Sequence, residues 1–121
     1  MSKEVLVVED NPFVTRMYST CLSALKLRVR HAGTAEEALA IVERQVPDLV
    51  VMDLMLPNMS GLDLARRLRA AEATRAVPIL AVTTMTVAGD GQEIRDAGCT
   101  AYMQKPIQIP SFVQTVQELL S

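Results

Sequence analysis

The chain of 121 residues has no tryptophan, and aromatic residues make up only 3% of it. Its core must therefore be built from Val, Leu, Ile, Ala and Met. An excess of positive charge is also missing: 12 Lys and Arg stand against 14 Asp and Glu, a formal net charge of −2. Sequence-independent nucleic-acid binding calls for a basic excess, so no nucleic acid is expected as a partner. Cysteine is scarce, with only Cys21 and Cys99. Two cysteines make no disulfide framework and no Cys/His set has zinc spacing, so both are expected as free, buried thiols in a reducing cytoplasm. Long hydrophobic runs are absent too. Met1-Ser2-Lys3-Glu4 leads into a short apolar run, Val5 to Val8, which is neither a signal peptide nor a membrane span. What is there is an apolar half, by composition. That excludes a disordered tail, and the length suits one domain over residues 1–121. The expectation is a soluble, cytoplasmic domain.

Three apolar tetrads punctuate the chain: Val5 to Val8, Leu49 to Met52 and Ile79 to Val82. Short runs that are apolar on both faces suit strands buried in a parallel sheet. Leu27 to Ala32 alternates, as a strand with one wetter face does, and Ala101 to Gln104 reads as a last short strand. Helical spacing separates them. Pro12 to Leu25 carries apolar residues at 13, 14, 17, 18, 21, 22 and 25, with Pro12 suited to a first turn. Thr34 with Glu37 forms a capping-box pattern ahead of the second helix. Ser60 is a candidate N-cap for a third helix over Leu62 to Ala71, a fourth is expected near 89–97, and Ile109 to Leu120 makes the last. Gly89 and Gly91 weaken the start of the fourth by about 1 kcal/mol each relative to alanine. Strand and helix thus alternate with short connections. Right-handed crossovers then place helices on both faces, which predicts a doubly wound α/β domain with a five-stranded parallel sheet, (βα)5, and the three tetrads at its centre.

In such sheets, ligands bind beyond the carboxyl ends of the strands. Glu9 and Asp10 follow the first strand, Asp53 the third, Thr83 the fourth and Lys105 the fifth. Like charges ~4 Å apart repel by about 4 kcal/mol at an effective dielectric of 20. The acidic set therefore needs a positive partner, either Lys105 or a divalent cation. Hard oxygens without His or Cys select Mg²⁺, with Mn²⁺ as the alternative. Mg²⁺ is commonly held by one or two carboxylates together with a phosphate. A carboxylate can itself be the nucleophile that becomes an aspartyl phosphate. Asp53, ending a central strand, is the candidate, with Thr83 and Lys105 placed to bond the phosphoryl oxygens.

Glu9-Asp10, Asp53 with Pro57 and Gly61, Thr83, and Lys105-Pro106 together resemble the receiver domain of two-component response regulators, the CheY-like, flavodoxin-like fold, over residues 4 to 120. The stretch from Gly89 through Gly98-Cys99, Ala101-Tyr102 and Lys105-Pro106-Ile107 is most similar to stand-alone cell-cycle receivers of the DivK type. The resemblance implies that Asp53 accepts a phosphoryl group from a sensor histidine kinase or histidine phosphotransfer protein. It implies Asp10 and Asp53 as direct metal ligands, the Met55 carbonyl as a third, and Glu9 acting through water. It further implies Thr83 and Tyr102 as switch residues, a cis bond before Pro106, and a downstream partner protein bound on the face of the fourth helix, fifth strand and fifth helix. Such a chain would catalyse only its own phosphorylation and dephosphorylation, as a monomer or a weak, activation-dependent dimer.

Thr84 stands where the family usually has a small residue, and its branched side chain is expected to crowd the approach to Asp53. Met55, Met59 and Met85 suggest a soft apolar collar for a donor protein. His31 reads as a surface or satisfied histidine, and Arg66, Arg67 and Arg69 as a solvated face. Other readings stay open. A small aspartate-nucleophile phosphatase would want an acid two residues past the nucleophile, where Met55 stands. A flavodoxin-like cofactor binder would want a phosphate-cradling loop where Glu9-Asp10-Asn11-Pro12 stands. The chain also fits a receiver cut from a hybrid kinase or larger regulator.

Overall fold

The computed structural model describes residues 2–84 and 91–121. Five parallel strands, β1 (Glu4–Val8), β2 (Arg28–Ala32), β3 (Leu49–Asp53), β4 (Ile79–Thr83) and β5 (Ala101–Gln104), form one sheet in the order β2-β1-β3-β4-β5. The helices are α1 (Pro12–Ala24), α2 (Ala35–Arg44), α3 (Gly61–Ala70), α4 (Gln92–Asp96) and α5 (Ile109–Leu120), with a 3-10 turn at Glu72–Thr74. This is the doubly wound, CheY-like arrangement expected, and the three tetrads are its central strands. No helix among the described residues is long and apolar enough to cross a membrane.

The period of a strand explains the layering. Successive side chains point to opposite faces, so each tetrad feeds two cores. Leu6, Val8, Val50, Met52, Ile79 and Ala81 pack with Leu64, Leu68 and Ile94 of α3 and α4. Val5, Val7, Leu49, Val51, Leu80 and Val82 pack on the other side with Tyr18, Leu22, Phe112 and Val116 of α1 and α5. Tyr18 and Phe112 stack across α1 and α5 with ring centroids 5.0 Å apart.

Caps fix where the helices begin. Asn11 accepts from the Phe13 and Val14 N–H groups, Thr34 from Glu37 N–H and Ser60 from Asp63 N–H, relieving donors that have no partner within the helix. β4 starts at Ile79, where the tetrad places it: Pro78 has no N–H to donate, although its carbonyl still accepts from Val50 N. Other boundaries differ from the sequence reading. α3 starts one residue early, at Gly61. α4 starts at Gln92, behind an N-cap at Gly91 with φ of 77°. Gly89 and Met85 lie outside the described residues.

Two expectations are corrected. Arg66 and Arg67 are exposed, but Arg69 turns inward at the last turn of α3. Its guanidinium donates to the carbonyls of Gly98, Thr74, Arg75 and Val77 and to the Thr100 hydroxyl. Loop carbonyls that no sheet or helix satisfies attract the one side chain with enough donors to serve them. Cys99 is buried, but Cys21 is only half-buried. Burial pushes the Cys99 thiol up to about 11, against the opposing charge of Arg69.

Candidate functional site

The strand ends bring Glu9, Asp10 and Asp53 together, with one carboxylate oxygen from each within 4.8 Å of the others. Glu9 is 1% exposed. Its backbone is held by Ala32, whose carbonyl accepts Glu9 N–H at 3.0 Å, and by His31, whose Nε2 lies 3.0 Å from the Glu9 carbonyl. His31 is thus an exposed but satisfied residue, as expected. The Glu9 Oε2 accepts Asn11 N–H at 3.1 Å. Asn11 therefore caps α1 with its side chain and steadies Glu9 with its backbone. The sequence reading missed this second role, although an Asn-Pro pair at a strand-to-helix junction marks the position.

Lys105 joins the two ends of the chain. Its Nζ donates to Glu9 Oε1 at 2.7 Å and to Asp53 Oδ2 at 3.2 Å. Its backbone N–H donates to the Thr83 carbonyl at 2.8 Å, and the Lys105–Pro106 bond is cis. Thr83 is fully buried at the end of β4. The electrostatics follow from burial and pairing. Burial raises the Glu9 pKa, against the Lys105 bond and the Asn11 N–H, with Asp53 adding to the rise. For Lys105, burial works against the charge, but its bond to Glu9 and the charges of Asp53 and Glu9 prevail, and its pKa is raised. Lys105 is therefore held in its charged form by the cluster, while burial makes the ionised form of Glu9 costly.

The residues that come after Asp53 hold it in place. Its Oδ1 accepts Met55 N–H at 2.9 Å. The chain then doubles back: Gly61 N–H donates to the Leu54 carbonyl at 2.9 Å. A Cβ on Gly61 would meet the Asp53 carbonyl at 2.5 Å. Only glycine lets α3 begin this close to the strand end. Met55 is 57% exposed, and its Sδ accepts from the Thr84 hydroxyl at 3.5 Å. Thr84 and Met55 thus sit together at the mouth of the site. The collar of methionines is narrower than expected: Met59 packs against the core beside α3.

Tyr102 is not among the carboxylates. It lies on β5 level with Ala81, half-buried against the α3–α4 core and against Gly91. Oxygen donors from three carboxylates suit a hard dication, and a strand-end carboxylate beside an ammonium suits phosphoryl transfer.

Comparison with known proteins gives the same picture. The family described as the response regulator receiver domain matches residues 5–117. The chain is 36% identical over 120 residues to the polar-differentiation response regulator DivK of Brucella ovis, covering 99% of this chain and 98% of that protein. Among solved structures, the chemotaxis response regulator CheY4 of Vibrio cholerae is 28% identical with a TM-score of 0.93, covering 99% of this chain and all of the other, 100%. The receiver domain of a sensor histidine kinase from Pseudomonas aeruginosa PAO1, solved with a magnesium ion coordinated in its active site cleft, is 32% identical with a TM-score of 0.89, covering 99% and 98% of the two chains.

Proposed function

Because the chain belongs to the response regulator receiver domain family, we propose that Asp53 accepts a phosphoryl group from a phosphohistidine on a sensor histidine kinase or histidine phosphotransfer protein, in a phosphorelay within the cytoplasm. The observation that carries this reading is the Lys105 ammonium shared between Glu9 and Asp53 at 2.7 and 3.2 Å. It is a cation already held beside the acceptor.

The hard oxygens of Asp10 and Asp53 suit Mg²⁺, or Mn²⁺ in its place; the Met55 carbonyl and, through water, Glu9 would complete its hold. The ion supplies neutralisation of negative charge on acceptor and phosphoryl oxygens. A carboxylate oxygen of Asp53 forms the new O–P bond as the N–P bond of the donor breaks, and the electron pair leaves with the imidazole nitrogen. Lys105 transfers its hydrogen bonds to the phosphoryl oxygens, and the Thr83 hydroxyl binds another. Tyr102 follows Thr83 and changes the face of α4, β5 and α5, where a downstream protein binds. Moving a two-state equilibrium from 1:99 to 99:1 takes roughly 5.5 kcal/mol, within reach of several charge-assisted bonds. Water later hydrolyses the acyl phosphate. On this reading the chain acts only on itself, and is no enzyme for a separate substrate.

The likeness to DivK over 98% of that protein supports a stand-alone regulator. The likeness to a kinase-borne receiver supports the second reading, a receiver from a hybrid kinase. Intact mass measurement with acetyl phosphate and Mg²⁺ tests the chemistry. The wild type gains one phosphoryl group and Asp53→Asn gains none; equal gain in both overturns the assignment of Asp53.

A further inference from the structure

The chemistry above leaves a groove between α2 and α3 without a role. Its volume is about 480 Å³, and it runs toward the last turns of both helices, away from the carboxylates. Val42 and Leu68 form its buried floor, while the half-buried Leu39 and the exposed Ala70 line its sides. Each wall carries a charge: Glu43 on α2 and Arg67 on α3, both exposed. The other arginines of α3 are engaged elsewhere. Arg66 pairs with Asp63 at 2.8 Å, and Arg69 turns inward to loop carbonyls. The Glu43 carboxylate and the Arg67 guanidinium have no partner among the described residues, and they do not reach each other across the groove.

An occupant that satisfies this groove brings an apolar body, a positive group beside Glu43 and a negative group beside Arg67. A second copy of the chain carries that pattern by construction. A two-fold axis beside the groove sets α3 of each copy against α2 of the other, so that Glu43 on one meets Arg67 on the other, twice over. The apolar sides close between the two pairs, and Ala70, with nothing beyond its Cβ, lets the helices approach. We propose that the α2–α3 face is a self-association surface, which forms a weak symmetric dimer whose register is set by the two Glu43–Arg67 pairs. Exposed ion pairs add little affinity and are screened by salt, but complementary charge fixes register and rejects wrong partners. A closed two-fold contact also stops at two copies. The inference is independent of the phosphoryl-acceptor reading of Asp53.

Sedimentation velocity of the full chain, from micromolar to millimolar protein, is the test. Wild type is expected to pass from monomer to dimer over this range, and added salt to push the transition to higher concentration. Glu43→Arg and Arg67→Glu each turn two attractions into two repulsions, and each is expected to weaken the dimer about tenfold. Both side chains are exposed, so both variants are expected to keep the wild-type thermal midpoint. Mixing the two variants in equal amounts is the sharpest arm. One groove then carries only positive charge and the other only negative, both contacts of the mixed pair are attractive again, and a heterodimer about as tight as the wild-type dimer is expected. A measurement on wild type alone does not depend on any variant: amide NMR signals of α2 and α3 are expected to shift as the protein is concentrated. A wild type that stays monomeric at millimolar concentration, a dimer that the single substitutions leave untouched, a mixture that fails to associate, or concentration-dependent shifts confined to another face each overturn the inference.

Discussion

The Tyr102 ring occupies the space that a side chain on residue 91 would need. A Cβ built on Gly91 would stand 2.5 Å from Tyr102 Cε1 and 2.7 Å from Cζ. Gly91 also has φ of 77° at the N-cap of α4, a conformation that side chains disfavour. The start of α4 and the seat of Tyr102 are therefore one packing unit.

Gly91→Ala is expected to lower stability by about 1–3 kcal/mol and to displace the Tyr102 ring. Urea unfolding reads the first and tyrosine fluorescence the second. In a Tyr102→Ala background the steric part of the penalty disappears and only the backbone part remains. A double-mutant cycle with no coupling between the two positions contradicts the contact.

Lys105→Met removes the cation between Glu9 and Asp53. The nearly buried Glu9 loses its partner, so the resting protein is expected to lose about 2–4 kcal/mol at neutral pH. Added Mg²⁺ recovers more stability in this variant than in wild type, because the ion takes over the role of the missing charge. Denaturation with and without Mg²⁺ measures both. A variant as stable as wild type in chelator means that the acidic cluster is not strained.

The pH dependence follows from the two raised pKa values. The Glu9 carboxyl is lifted above its ordinary 4.5. Its ionised form therefore opposes folding above the raised value, and this opposition is relieved as the pH falls toward 4.5. Lys105 acts in the other direction. Its contribution is complete below its ordinary 10.5 and is lost as the pH rises through the raised value. Mg²⁺ binding works best with Glu9 ionised, so affinity is expected to begin falling at a pH above the usual carboxylate range. Glu9→Gln flattens that dependence. Calorimetric Mg²⁺ titrations at several pH values check it, and identical profiles for the two proteins speak against a role for Glu9.

Thr84→Ala opens the mouth of the site. The exposed Thr84 hydroxyl reaches Met55 Sδ at 3.5 Å, and the pair is expected to crowd the approach to Asp53. Phosphorylation by acetyl phosphate is expected to quicken several-fold in the variant. Equal rates would show that small donors enter by another path.

Arg69→Ala is expected to destabilise the fold by roughly 2–4 kcal/mol, since its guanidinium serves the carbonyls of Thr74, Arg75, Val77 and Gly98. Phosphorylation by acetyl phosphate below the unfolding midpoint stays at the wild-type rate. A variant of undiminished stability makes these bonds replaceable by water.

The sheet was legible because its signal is redundant. Val5 to Val8, Leu49 to Met52 and Ile79 to Val82 are apolar on both faces, as strands between two helical layers must be. The carboxylates were legible because strand ends define one edge whatever the loops do. Side chains whose role depends on a distant backbone were not. Arg69 sits in an arginine-rich helix, and nothing local says that carbonyls from two later loops converge on it. The fit of Gly91 to Tyr102 depends on two segments meeting in space, and an isolated glycine ahead of a short helix reads only as a weak start.

The two tyrosines stand in different layers. Tyr18 belongs to the α1–α5 side and Tyr102 to the side of α3 and α4. The sheet thus stands between them as a partition wall, and substitutions confined to one layer are expected to leave the packing of the other intact.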